Sequence, residues 1–263
     1  MCHGKHLWTN RRTVCQDFGV PNFYFRSVAA VLLCALALSA CARAVGDGEA
    51  VGLEAEGEDD PRPLVLTTFT VLADMARNVA GEHLRVESIT KAGAEIHGYE
   101  PTPGDLRTAD RADLILDNGL GLEAWFEKFV ERVPAPHAVL SDGVDPVYIR
   151  GDAYAGKANP HAWMSPKVAQ TYVDNIADAF VRLDPANASD YRANAAAYNG
   201  ALSAVADELR ADLAVLPAHQ RALVTCEGAF SYLARDFDLQ EAYLWPVNAE
   251  QEGTPKQVDA PID

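Results

Sequence analysis

Short apolar runs alternating with helical patterns between residues 64 and 140 constrain this fold more than any other feature of the chain. Leu64-Val65-Leu66-Thr67-Thr68-Phe69 reads as a buried strand, and residues 71–80 repeat their apolar positions at the spacing of a helix that Gly81 stops. Residues 84–89 alternate as a second strand and 103–112 read as a short helix. Residues 114–118 read as a third strand, 122–133 as a helix with one apolar face and 138–140 as a fourth strand. Strand and helix alternating at this pace predict a parallel α/β lobe, whose ligands gather at the carboxyl ends of the strands.

Ser165-Pro166 then sets a proline in the first turn of a helix running to about Leu183, and Asp184-Pro185-Ala186-Asn187 breaks it. From Ala188 to about Leu216 alanine is abundant, proline is absent and Gly200 is the one glycine, so a single long helix is expected. Pro217 ends it. Residues 222–226 read as the first strand of a second lobe, 229–237 as a helix and 242–245 as the next strand. Thr254-Pro255-Lys256-Gln257 opens a further helix.

The amino terminus has a different character. Arg11, Arg12 and Arg26 precede the apolar run of residues 28–38, too short for a stable transmembrane helix but suited to the core of a signal peptide. Leu38-Ser39-Ala40-Cys41 follows and resembles the lipobox of bacterial lipoproteins, in which the cysteine, here Cys41, is lipidated and becomes the new amino terminus. A plain secretory signal with an incidental cysteine is the alternative. Residues 42–63 are rich in Gly, Glu and Asp and read as a disordered acidic tether. Loss of residues 1–41 removes four of the 22 basic residues and one of the 38 acidic ones, leaving a strongly acidic chain. Such a charge argues against nucleic acid or an anionic lipid surface as partner. Of five cysteines only Cys226 lies beyond Cys41, so no internal disulfide is possible; alternation along its strand points it away from Glu227, as a small core residue.

Three loops carry the candidate chemistry. His97 sits among glycines 93, 98 and 104 and prolines 101 and 103, which exclude a continuous helix or strand. His161 lies in the proline-bracketed Asn159-Pro160-His161-Ala162-Trp163-Met164-Ser165-Pro166, and Glu227 ends the apolar run Val224-Thr225-Cys226. A lone loop histidine is usually just an exposed side chain, and His83, His137 and His219, without such context, are read that way. Tyr99, Glu100 and Asp105 read as supports of the His97 loop rather than ligands; Asn118, Glu123 and Trp163 read as cleft or packing residues.

At these stations the chain resembles the metal-binding proteins of ABC importers, the cluster that captures manganese, zinc or iron. The resemblance runs from about Pro63 to about Gln257. It rests on His97-Gly98-Tyr99-Glu100-Pro101-Thr102-Pro103, Asn159-Pro160-His161-Ala162-Trp163, Glu227-Gly228-Ala229-Phe230-Ser231-Tyr232 and Glu252-Gly253-Thr254-Pro255. It implies an α/β fold of two parallel-sheet lobes, 64–187 and 217–263, joined by one long linking helix, 188–216, that limits hinge motion. Family members continue through further strands, so the second lobe is expected to be incomplete; the family's fourth ligand, an aspartate, is expected beyond residue 263.

The resemblance further implies His97, His161 and Glu227 as ligands of a divalent ion that is cargo, not cofactor. Two histidines and one glutamate lean towards manganese or iron, with zinc next, because zinc members usually present a third histidine. The implied function is an extracytoplasmic binding protein, not an enzyme. It is expected as a monomer, anchored to the membrane by lipid at Cys41 or periplasmic, and delivering the ion to a permease and its ATPase. A zinc metallohydrolase is the competing class, opposed by the absence of a His-Glu-x-x-His pairing. Two further readings are a truncated, non-functional remnant and a surface adhesin; nothing in the residues supports the adhesin's partner surface.

Overall fold

The computed structural model describes residues 60–130, 133–150 and 154–246. The leader with Cys41, most of the expected tether and the helix expected at 254–257 lie outside them. Residues 60–63, expected as the end of that tether, belong instead to the folded body. Arg62 pairs with Asp60 at 2.6 Å and donates to the Glu82 carbonyl at 3.2 Å, while the Pro63 carbonyl accepts from the Arg85 amide. Pairing of backbone with the next strand outweighs the local polarity of these residues.

Strands β1 (Leu64–Thr67), β2 (Arg85–Ser88), β3 (Leu114–Asp117) and β4 (His137–Val139) form a parallel sheet in the order β2-β1-β3-β4. β1 and β3 are buried at every position, as strands covered on both faces must be. Alternation sends Val65, Leu114 and Leu116 to one face, against Leu72, Met75 and Val79 of α1 (Thr70–Ala80) and Tyr172, Ile176 and Phe180 of α4 (Pro166–Leu183). Leu66 and Ile115 take the other face, against Ala109 of α2 (Pro103–Ala109) and Phe126 and Phe129 of α3 (Phe126–Val130). Each fully buried aliphatic side chain contributes about 1.5–3 kcal/mol. Of the helix expected over 122–133, regular helix is described from Phe126, and residues 122–125 form turns that follow positive φ at Gly119, Leu120 and Gly121.

Helix α5 (Ala188–Ala214) is the long helix expected from the alanine-rich stretch. It buries only Tyr191, Ala195 and Ala206, and lies along α1 and α4. Asn194 donates to the Val79 carbonyl at 3.1 Å, and His83 Nε2 lies 2.9 Å from Asp190 at the first turn. Good propensity and these tertiary ties hold it, rather than a broad apolar face.

Beyond α5, β5 (Ala222–Glu227) and β6 (Gln240–Trp245) pair in parallel through the crossover helix α6 (Ser231–Phe237). Tyr232 of α6 is fully buried in the core of the first sheet, so the second sheet is docked on the first lobe through α6 as well as reached through α5. Cys226 corrects an expectation. It points away from Glu227 as alternation requires, yet it is exposed, with Val224 on the same face 61% exposed. Among the described residues no element packs on that face of the two-stranded sheet.

Candidate metal centre

The first sheet reverses its winding between β1 and β3, and the crevice at the carboxyl ends of such strands is where open α/β sheets take ligands. A buried polar cluster occupies that switch point. Glu123 is 5% exposed, and its Oε1 accepts from the Thr68 hydroxyl at 2.6 Å and the Asn118 amide at 2.9 Å. Burial drives its carboxyl up to about 7 against those hydrogen bonds. The Asn118 side chain accepts from Tyr172 at 2.8 Å and donates to the Pro160 carbonyl at 3.0 Å, so this cluster supports the turn that carries His161. Gly119 permits the arrangement: a Cβ there would stand 2.4 Å from Val139 Cγ1.

Each loop is held locally. The His97 amide donates to Glu95 Oε1 at 3.0 Å, and Trp125 Nε1 donates to the Ile96 carbonyl at 2.9 Å. Thr102 and Asp105 form a reciprocal capping box at the start of α2, and Tyr99 donates to Asp105 at 2.9 Å. Tyr99 and Asp105 thus support the loop, as expected, and Glu100 is exposed. In the second loop Asn159 Oδ1 accepts the His161 amide at 3.0 Å, an Asx turn across Pro160, before a short 3-10 turn at Ala162–Met164. Glu227 closes β5, where the Gly228 amide donates to the Trp245 carbonyl at 2.9 Å. A Cβ on Gly228 would come within 2.7 Å of the Pro246 carbonyl oxygen, so only glycine fits the turn.

His97, His161 and Glu227 meet. His97 Nε2 and His161 Nε2 are 3.2 Å apart, and Glu227 Oε1 lies 3.6 Å from the first and 3.5 Å from the second. Donors bonded at about 2.1 Å to one tetrahedral ion stand about 3.4 Å apart, so these atoms already have the spacing of ligands. No other group of three or more such donors is found among the described residues. His161 is 4% exposed; burial, and then the neighbouring His97, push its pKa down to about 3. Burial also lowers His97, opposed by Glu227, Glu95 and the Leu122 backbone. Both rings are therefore neutral, the state that binds metal.

The ring proton of His161 can be assigned from its partner. His161 Nδ1 lies 3.0 Å from Asn159 Oδ1, which can only accept, so its proton is on Nδ1 and the Nε2 lone pair faces the site. Trp163 packs against His161 with ring centroids 5.4 Å apart and forms one wall. Asn118 and Glu123 are engaged with each other and with Thr68, Tyr172 and Pro160, and Glu123 is not one of the three converging donors. His137 bonds to Asp117 at 3.2 Å and His83 to Asp190, both away from the centre, and His219 is exposed. Asn159 is the residue to which sequence reasoning assigned no part; an asparagine two residues before a histidine across a proline was its available signal.

Two parallel sheets bridged by a long helix, with two neutral imidazoles and a carboxylate converging at their strand ends, define a two-lobed α/β receptor with a metal-type donor set. Residues 65–263 match the profile of the family described as "Zinc-uptake complex component A periplasmic", and the chain belongs to that family. It is 55% identical over 200 residues to the iron-binding protein YfeA of Yersinia pestis and 38% identical over 202 residues to the manganese ABC transporter substrate-binding lipoprotein PsaA of Streptococcus pneumoniae. Those matches cover 76% and 74% of this chain, which spans 64% and 65% of the two relatives. Among solved structures, the manganese-bound periplasmic metal-binding protein of Candidatus Liberibacter asiaticus superposes with a TM-score of 0.70 at 33% identity, over 76% of this chain and 74% of that one. The periplasmic zinc-binding protein TroA of Treponema pallidum superposes at 0.69 with 26% identity, over 76% and 73%.

Proposed function

We propose that this chain is the extracytoplasmic binding component of an ABC importer, capturing one divalent metal ion at His97, His161 and Glu227 and passing it to a membrane permease and its ATPase. The observation that carries the reading is the mutual spacing of the three donor atoms, 3.2–3.6 Å, on loops from both sheets. Two neutral imidazoles and one carboxylate suit a borderline or hard cation, and they leave a coordination position for water or a further oxygen donor. The relatives' names attach iron, manganese and zinc to them. For this chain the donor set favours manganese or iron with zinc next, although zinc binds most such sites more tightly than manganese at equilibrium. The chain is proposed as monomeric, and lipid on Cys41 is the proposed anchor at the outer face of the cell membrane.

A hydrolase reading finds no base among the two acids that flank His97. Glu95, the acid nearest in sequence to His97, is engaged with the His97 amide, and Glu100 is exposed on the far side of the motif. The test is metal content and metal-dependent melting of the chain beside its His97→Ala, His161→Ala and Glu227→Ala variants. One ion per chain at 100 times its Kd adds about 2.7 kcal/mol, read as a higher Tm that each variant abolishes. A folded wild-type chain that takes up no stoichiometric manganese, iron or zinc would refute the proposal.

A further inference from the structure

Asn159 is 2% exposed, and every polar group it carries is engaged. Its amide donates to the Val147 carbonyl at 2.7 Å and its carbonyl accepts from the Tyr232 hydroxyl at 2.7 Å. Nδ2 donates to the Gly228 carbonyl at 2.6 Å and to Ser231 Oγ at 3.2 Å. Oδ1 accepts from the His161 amide and faces the His161 ring, both at 3.0 Å. The Gly228 carbonyl can only accept and the His161 amide can only donate, so the side-chain amide has one allowed orientation. In that orientation one planar group reads a ligand ring of the first lobe on one end and the turn following Glu227 on the other.

We propose that Asn159 is a positioning residue that fixes the ring tautomer of His161 and, through the same amide, ties that ring to the Gly228 turn carrying Glu227, so that the two lobes present their donors as one unit. Acceptors opposite the second nitrogen of a metal-binding histidine orient the ring and raise its basicity. Here that acceptor is also a bond between lobes. Moving the Gly228 turn away would pull Nδ2 off its strongest acceptor and free Oδ1 to rotate from the ring. The inference deepens the metal-binding reading and rests on it for its consequence, but its geometry concerns the metal-free chain and can be tested there.

The full chain, labelled with 15N-histidine, is compared with Asn159→Ala, Asn159→Asp and Ser231→Ala. Long-range 15N–1H spectra of the metal-free chain report the His161 tautomer, hydrogen exchange reports the segment from Glu227 to Ser231, and competition titration with Mn2+ and with Zn2+ reports affinity. Asn159→Ala is expected to shift His161 away from the Nδ1–H form, lose protection of the turn and weaken metal binding by about 10–100-fold. Asn159→Asp keeps an acceptor for the ring but sets a carboxylate oxygen against the Gly228 carbonyl, so the tautomer is retained, the protection is lost and affinity recovers only in part. Ser231→Ala, which removes the longer contact, leaves the tautomer unchanged. An unaltered tautomer in Asn159→Ala, or full recovery of protection in Asn159→Asp, overturns the proposal. If the alanine variant does not fold, the aspartate variant decides: retained tautomer with lost protection supports it, and both retained overturns it. A wild-type chain that binds no metal would refute the metal reading instead, while tautomer and protection still decide the role of Asn159.

Discussion

Glu123 makes folding stability depend on pH in a direction opposite to the usual surface carboxylate, and the size of the effect follows from its surroundings. The carboxyl is buried, and both hydrogen bonds that the structure gives it, from Thr68 and from the Asn118 amide, fall on Oε1. Burial raises it from its ordinary 4.5 to about 7. A tenfold change in proton affinity is worth about 1.4 kcal/mol, so this displacement corresponds to about 3 kcal/mol. A raised folded-state value means that the unfolded chain releases the proton first. The contribution is therefore fully present below pH 4.5 and is lost as pH rises through about 7. Glu123→Gln keeps an Oε1 to accept both hydrogen bonds and removes the ionisation. Urea unfolding of both chains at pH 4.5 and pH 8 isolates the term, because other titrating groups are common to the two. The glutamine variant is expected to gain about 3 kcal/mol on the wild type between those pH values. A difference that stays constant within about 1 kcal/mol would falsify the assignment of a buried, proton-holding carboxyl.

Three further outcomes follow from packing and hydrogen bonding. Gly228→Ala sets a Cβ 2.7 Å from the Pro246 carbonyl oxygen and 3.0 Å from the Tyr243 ring, so it is expected to cost about 1–3 kcal/mol in urea unfolding and to weaken metal binding by displacing Glu227. Tyr172→Phe leaves buried Asn118 Oδ1 without its donor at 2.8 Å; a loss of about 1–3 kcal/mol is expected, and an unchanged urea midpoint would contradict the role given to this hydrogen bond. Thr102→Ala removes the cap of the seven-residue α2 and should cost about 1 kcal/mol, seen as a lower Tm, with weaker ordering of the His97 loop read by hydrogen exchange.

Much of this is legible in the amino-acid sequence alone. The strands at Leu64, Leu114 and Ala222 and the helices at Pro166 and Ala188 were legible because apolar periodicity, prolines at helix starts and an alanine-rich run are local signals. His97, His161 and Glu227 were legible as candidates because each sits where glycine and proline break a regular element or where an apolar strand ends. Other features depended on contacts far apart in sequence. Cys226 read as a core residue because alternation gives a side but not what covers it. Residues 60–63 read as tether because their composition is polar, while their order comes from pairing with Glu82 and Arg85. The start of α3 reads four residues early because a turn built on positive φ at Gly119, Leu120 and Gly121 leaves no signal in apolar spacing.

By itself, then, the sequence determined the elements, their parallel α/β order and the donor types, since these rest on residue chemistry and short-range spacing. The tertiary structure alone decided that three donors 64 and 66 residues apart along the chain meet within 3.6 Å, which nitrogen of His161 faces them, and that Glu123 holds its proton to about pH 7. Those properties are set by burial and by partners brought in from other elements. Desolvation and hydrogen-bond geometry exist only once the chain has closed around them.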